Sequence, residues 1–227
     1  MTETPETPGA PEAPTGPSGG TPPAPPAPAG PPAAVADPAA DYPVHLDIER
    51  QEEYSRFMPL IKWLLAIPHF IALIVLGIGA YIVAIISFFA VLFTGQYPRG
   101  MFDYMVGVHR WAYRVTAYVF LMVDPYPPFT LDDDPNYPVH FDIEYPEHVE
   151  RWRPLVAWLL VLPYLFVAYF VMILAQIMSF FAFFTILFTK QFPDGLFNIA
   201  QIGLRWGARG NAYTYWLVTK YPPFVWG

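Results

Sequence analysis

YPVHLDIE, residues 42–49, returns as YPVHFDIE at residues 137–144, with a single substitution. Each copy alternates strictly. Val44, Leu46 and Ile48 fall on one face of an extended chain, and His45, Asp47 and Glu49 fall on the other. The second copy sets Val139, Phe141 and Ile143 against His140, Asp142 and Glu144. Pro43 and Pro138 stand where a strand begins and a missing N–H costs least. The pattern predicts two half-buried strands, apolar side down on helices and acidic side toward water or toward arginine.

The octapeptide is the start of a longer repeat. Shifting the chain by 95 residues aligns 42–129 with 137–224 without a gap, at about 40% identity. Pro59, Trp63 and Pro68 match Pro154, Trp158 and Pro163. LFTGQYPRGMF (Leu92–Phe102) matches LFTKQFPDGLF (Leu187–Phe197), and YPPF closes both copies at 126–129 and 221–224. Ungapped agreement over this length marks a duplicated structural unit. Four regions follow: a Pro/Ala-rich tail at 1–41, repeat 1 at 42–129, an acidic linker at 130–136 and repeat 2 at 137–227.

Composition narrows the classes. The chain is 55% hydrophobic, only 14% charged, carries a net charge of −7 and has no cysteine. Disulfides, thiol catalysis and Cys-ligated metal are thereby excluded. The acidic balance argues against nucleic acid as a partner. The tail lacks aromatic residues and Lys/Arg, so it reads as disordered, with polyproline II character in TPPAPPAPAGPP. It serves as a spacer or as a site for a protein partner. It has neither the cationic start nor the apolar core of a secretory signal.

No formal charge occurs between Lys62 and Arg99, and Trp63–Phe93 is nearly continuous apolar sequence, as is its counterpart 157–188. Each exceeds the roughly 20 residues that cross about 30 Å of hydrocarbon. Pro68 and Pro163 are expected to start or kink these helices, leaving 56–67 and 151–162 as short interfacial helices with Trp63 and Trp158 at headgroup level. A further helix in each repeat, 101–123 and 196–219, is long enough to span but carries charge. If it spans, each repeat is a hairpin, the repeats are parallel and the chain crosses four times. If it lies on the surface, there are two spans and inverted repeats. The expected fold is an all-α integral membrane protein of two tandem helical hairpins, four spans, with small strands at the surface. Under that hairpin arrangement six Lys/Arg face two across the membrane, which places both termini in the cytoplasm of a multi-pass cell-membrane protein.

The residues that carry chemistry are few. Arg110 and Arg114 are i,i+4 neighbours, and so are their counterparts Arg205 and Arg209. Arginine at membrane depth is expensive and therefore a functional candidate. The two stripes could face each other as one cleft for a phosphate or carboxylate, with an anionic phospholipid headgroup as an available ligand. The competing reading pairs these arginines with Asp47, Glu49, Asp142 and Glu144 as structural braces. His-x-Asp-x-Glu is metal-capable in principle, but no metal, cofactor or catalytic residue is assigned. No nucleotide loop, G-x-S-x-G or H-E-x-x-H occurs. His69 reads as a lone polar interfacial residue, replaced by Tyr164 in the second copy.

YPVHLDIE, WLLAIPH, LFTGQYPRGMFD, RWAYRVTAY and YPPF together resemble the bacterial membrane proteins of domain-of-unknown-function family 4389, in two tandem copies. The resemblance implies an integral membrane protein and implies no activity. The second copy has Leu204 where the first has His109, so a role resting on His109 cannot be shared by both repeats. The leading expectation is a non-catalytic accessory or scaffold protein that organises lipid or a partner, oligomerisation allowed. The alternative is a small anion or lipid transporter or channel using the arginine cleft.

Overall fold

The computed structural model describes residues 41–226, so the tail expectations for 1–40 lie outside the described residues. The element order is β1 (Val44–Ile48), α1 (Met58–Leu65), α2 (Ile67–Thr94), α3 (Arg99–Val119), β2 (Val139–Ile143), α4 (Arg153–Leu160), α5 (Leu162–Thr189) and α6 (Asp194–Thr214). The α1–α2 and α4–α5 breaks fall at Ala66 and Val161, with Pro68 and Pro163 in the first turn of the helix that follows. Proline fits there because the first-turn N–H has no intrahelical acceptor.

The two octapeptides pair with each other. β1 and β2 form an antiparallel sheet in which Leu46 lies opposite Phe141, its own counterpart in the other repeat. The ladder continues through Glu49 N–H to Pro138 C=O (2.8 Å) and Glu144 N–H to Pro43 C=O (2.9 Å). A pseudo-two-fold axis therefore passes through the Leu46–Phe141 pair, perpendicular to the sheet. The repeats are antiparallel, which departs from the parallel hairpins on which the four-span expectation and its charge bias were built.

The strands are exchanged between repeats. β2 runs antiparallel along α3: Tyr137 lies by Arg114, Phe141 packs on Tyr113 (5.0 Å between ring centroids), and Tyr145 packs on Phe102 (5.0 Å). β1 runs along α6 in the same manner, from Tyr42 at Lys220 to Arg50 at Phe192. Two further reciprocal bonds tie the repeats, Tyr54 N–H to Lys190 C=O and Val149 N–H to Gly95 C=O, each 2.9 Å.

The opposite side of α3 meets α2. Tyr104 donates to the Leu76 carbonyl (2.9 Å), and Trp111 reaches His69. In the second repeat Gly203 and Gly210 let α6 approach α5 closely; a Cβ on Gly203 would stand 2.5 Å from Ala175 Cβ. Three layers result, with the sheet on one side, α3 and α6 buried nearly all round in the middle, and α1–α2 and α4–α5 on the other side. The outer helices bury one stripe (Ala66, His69, Ala84, Ser87 and Val91 in the first copy) and expose the rest, including Ile71, Ile78 and Ile85. Among the described residues two helices, Met58–Thr94 and Leu162–Thr189, are long and apolar enough to cross a membrane; α3 and α6 are not among them.

Candidate functional site

The sheet has two open edges, and the arginines sit on them. Glu49 and Glu144 donate across the ladder, so hydrogen-bonded pairs alternate outward from them and Leu46–Phe141 is a non-hydrogen-bonded pair. The carbonyls of Leu46 and Phe141 consequently point away from the partner strand. Arg110 Nε donates to Phe141 C=O (2.8 Å) and its terminal nitrogen to Asp142 (3.2 Å); Arg205 repeats this with Leu46 C=O (2.9 Å) and Asp47 (2.8 Å). Each repeat's arginine thus holds the other repeat's strand. Arg110 also donates to the Leu131 carbonyl at 2.9 Å.

Arg114 is fully buried and clamps the inter-repeat linker, donating to Asp132 C=O (3.0 Å) and to the Asp133 carboxylate (3.3 Å). Gly107, two turns earlier, lets the linker lie against α3: a Cβ there would stand 2.9 Å from Leu131 Cβ. Arg209 is buried within electrostatic reach of Tyr42 and Tyr164. Arg110 and Arg205 face the strands laid over their own helices, and Arg114 faces the linker.

The polar strand face is arranged differently from the sequence expectation. Asp47 and Asp142 meet arginine, but Glu49 and Glu144 face histidine across the strands, His140–Glu49 at 3.9 Å and His45–Glu144 at 3.5 Å. His140 also stands 3.8 Å from Asp133. Among the described residues no group of three or more His, Asp or Glu is placed to hold a metal ion.

Three features were not legible as sites. Lys62 is buried, bonded to Val123 C=O and to Asp124 (2.7 Å each), where apolar context suggested only an interfacial helix. His69 is fully buried: Trp111 Nε1 donates to its Nδ1 (3.0 Å) and Phe129 stacks on it at 4.1 Å. Tyr164, Trp206 and Phe224 build the matching cluster in repeat 2, so the signal was the retention of tryptophan and YPPF in both copies. Lastly, a cavity of about 530 Å³ between the repeats is lined by Met105, His109, Tyr113, Leu204, Asn211 and Tyr215. His109 Nδ1 lies 2.7 Å from Met105 C=O and must donate to it, which leaves Nε2 as an acceptor.

A strand-exchanged pair of amphipathic helical repeats, braced at its sheet edges by arginine and faced with apolar helices, defines the class. The chain belongs to the family described as Domain of unknown function (DUF4389), which matches it twice, at residues 59–130 and 151–225. Comparison with curated proteins and with solved structures finds no match.

Proposed function

We propose that this chain is a non-catalytic membrane protein that acts as a scaffold, holding lipid on its apolar helices and presenting the acidic sheet to a partner. The observation that carries this reading is where the arginines go. Arg110, Arg114 and Arg205 bond main-chain carbonyls and carboxylates of the chain itself, which suits braces better than an anion pathway. The alternative of a transporter or channel through an arginine cleft has correspondingly little support.

The acidic face is the part offered outward. Asp47, Glu49, Asp142 and Glu144 are each 70–72% exposed. A cationic segment of a membrane-bound partner fits such a surface, and charge complementarity of this kind acts mainly on association rate and selectivity. Extraction in mild detergent followed by native mass spectrometry tests the reading. Retained lipid together with a co-purifying partner, lost on Asp47→Asn/Glu49→Gln/Asp142→Asn/Glu144→Gln, is the expected result. A lipid-free chain that turns over a phospholipid or moves an anion in vesicles would sink it.

A further inference from the structure

We infer that the protein lies flat in one leaflet, with its pseudo-two-fold axis along the membrane normal and none of the described helices crossing the bilayer. This seating rests on the membrane location proposed above and concerns how that location is reached. The axis through Leu46 and Phe141 is perpendicular to the sheet and to both helix layers. Upright helices would put that axis in the membrane plane. The sheet runs alongside α3 and α6, so it would then lie at bilayer depth, with its exposed carboxylates toward lipid. Open sheet edges and irregular backbone are not tolerated against hydrocarbon. Laid flat, each layer adds roughly 10 Å, and the carboxylates stand roughly 20 Å above the axes of α2 and α5, in water.

The apolar side fits a leaflet. Ile71, Ile78 and Ile85 on α2, and Phe166, Phe170 and Phe181 on α5, are all exposed on it. Neither helix carries a charged residue. At 1.5 Å per residue these 28-residue helices are about 42 Å long, well over the roughly 30 Å of hydrocarbon an upright helix must match. Cation placement agrees. Antiparallel repeats put Arg50, Arg56, Lys62 and Lys190 at one end of the helices and Arg99, Arg151, Arg153 and Lys220 at the other. Equal ends give an upright chain no positive-inside bias, whereas in a flat chain both ends meet the same headgroup layer. The occupant of the apolar face is thus the lipid of a single leaflet.

The absence of native cysteine makes the test direct. Single cysteines at Ile71, Ile78 and Ile85 carry a spin label, and depth is read by oxygen and nickel-chelate collision in phosphatidylcholine–phosphatidylglycerol vesicles. Flat seating gives three nearly equal depths. An upright helix would separate successive labels by roughly 10 Å along the normal, and that result overturns the inference. A second pair, Ser55→Cys and Gln96→Cys, marks opposite ends of α1–α2. After addition of the protein to sealed vesicles, both should react fully with an impermeant maleimide; protection of either one contradicts flat seating. A chain that floats free of vesicles defeats the membrane location itself. Labels that are lipid-inaccessible and spin-coupled would show a second copy on this face instead, and would equally overturn the proposal.

Discussion

Replacing Arg110 by Gln removes a guanidinium that serves two main-chain carbonyls, Phe141 and Leu131, and two exposed carboxylates, Asp142 and, at 3.9 Å, Asp133. A hydrogen bond to a charged group contributes about 1.5–3 kcal/mol. Gln can keep one such bond in weaker form, so the carbonyl loss comes to about 2–4 kcal/mol. Asp142 is 70% exposed, and its screened pairing adds at most about 1 kcal/mol. At roughly 2–4 °C per kcal/mol for a chain of this size, the melting temperature should fall by about 5–15 °C. The assay is thermal unfolding in mild detergent, followed by tryptophan fluorescence. Adding Asp142→Asn should not restore stability, because the dominant partners are carbonyls that mutation of Asp142 leaves in place. A change under 2 °C, or full rescue by Asp142→Asn, would refute the edge-brace reasoning. Arg99→Gln is the control: its exposed side chain pairs with exposed Asp103 and lies over the Tyr145 ring (4.6 Å), so it should cost at most about 1 kcal/mol.

Lys190 occupies the left-handed conformation (φ 61°) that Gly95 occupies in the first repeat, so Lys190→Gly should stabilise by about 0.5–1 kcal/mol, read as a raised detergent melt. Gly203→Val should lower stability by about 2 kcal/mol or more, because a side chain there forces α6 away from Ala175 and Val171; unchanged melting would contradict the close α5–α6 contact. Lys62→Met should cost about 3–5 kcal/mol by stranding Asp124 and the Val123 carbonyl, with partial recovery in Lys62→Met/Asp124→Asn. The Arg153 guanidinium beside Glu150 holds that carboxyl below its usual range, so the pair's contribution of at most about 1 kcal/mol is complete at neutral pH and fades as pH falls through the lowered value. The stability difference between wild type and Glu150→Gln should accordingly be present at pH 7 and vanish once the pH has fallen below the lowered value of Glu150.

Both strands and all six helices were legible because each rests on a local signal. Alternation marks Val44–Ile48 and Val139–Ile143, and proline with a long apolar run marks the starts of α2 and α5. Pairing was not legible. Period-two alternation tells which side chains share a face, but it reads the same for a strand pointing either way, so it could not choose between parallel and antiparallel repeats. The arginine partners were hidden by the duplication itself. With the same octapeptide in each repeat, Arg110 to Asp47 and Arg110 to Asp142 look alike in sequence, and only the exchanged strands separate them. His69 looked solitary because its cage comes from Trp111 and Phe129, 42 and 60 residues away. Hydropathy of α2 likewise could not show that one stripe is buried while the opposite face stays exposed, the fact on which the flat seating depends.

Antiparallel pairing of the two octapeptides is the claim from which the exchanged strands, the edge braces and the axis direction all follow. Cysteines at His45 and Asp142, directly opposite in the register, place their Cβ atoms within the roughly 3.5–4.5 Å that a disulfide spans after small adjustment. Mild oxidation of this double variant in native membranes should cross-link it, shifting its mobility on non-reducing gels after a proteolytic cut in the linker. Cysteines at Glu49 and Glu144 lie six residues apart along the ladder, roughly 20 Å, and should stay unlinked. A cross-link between positions 49 and 144, with none between 45 and 142, would mean parallel strands and would contradict the account.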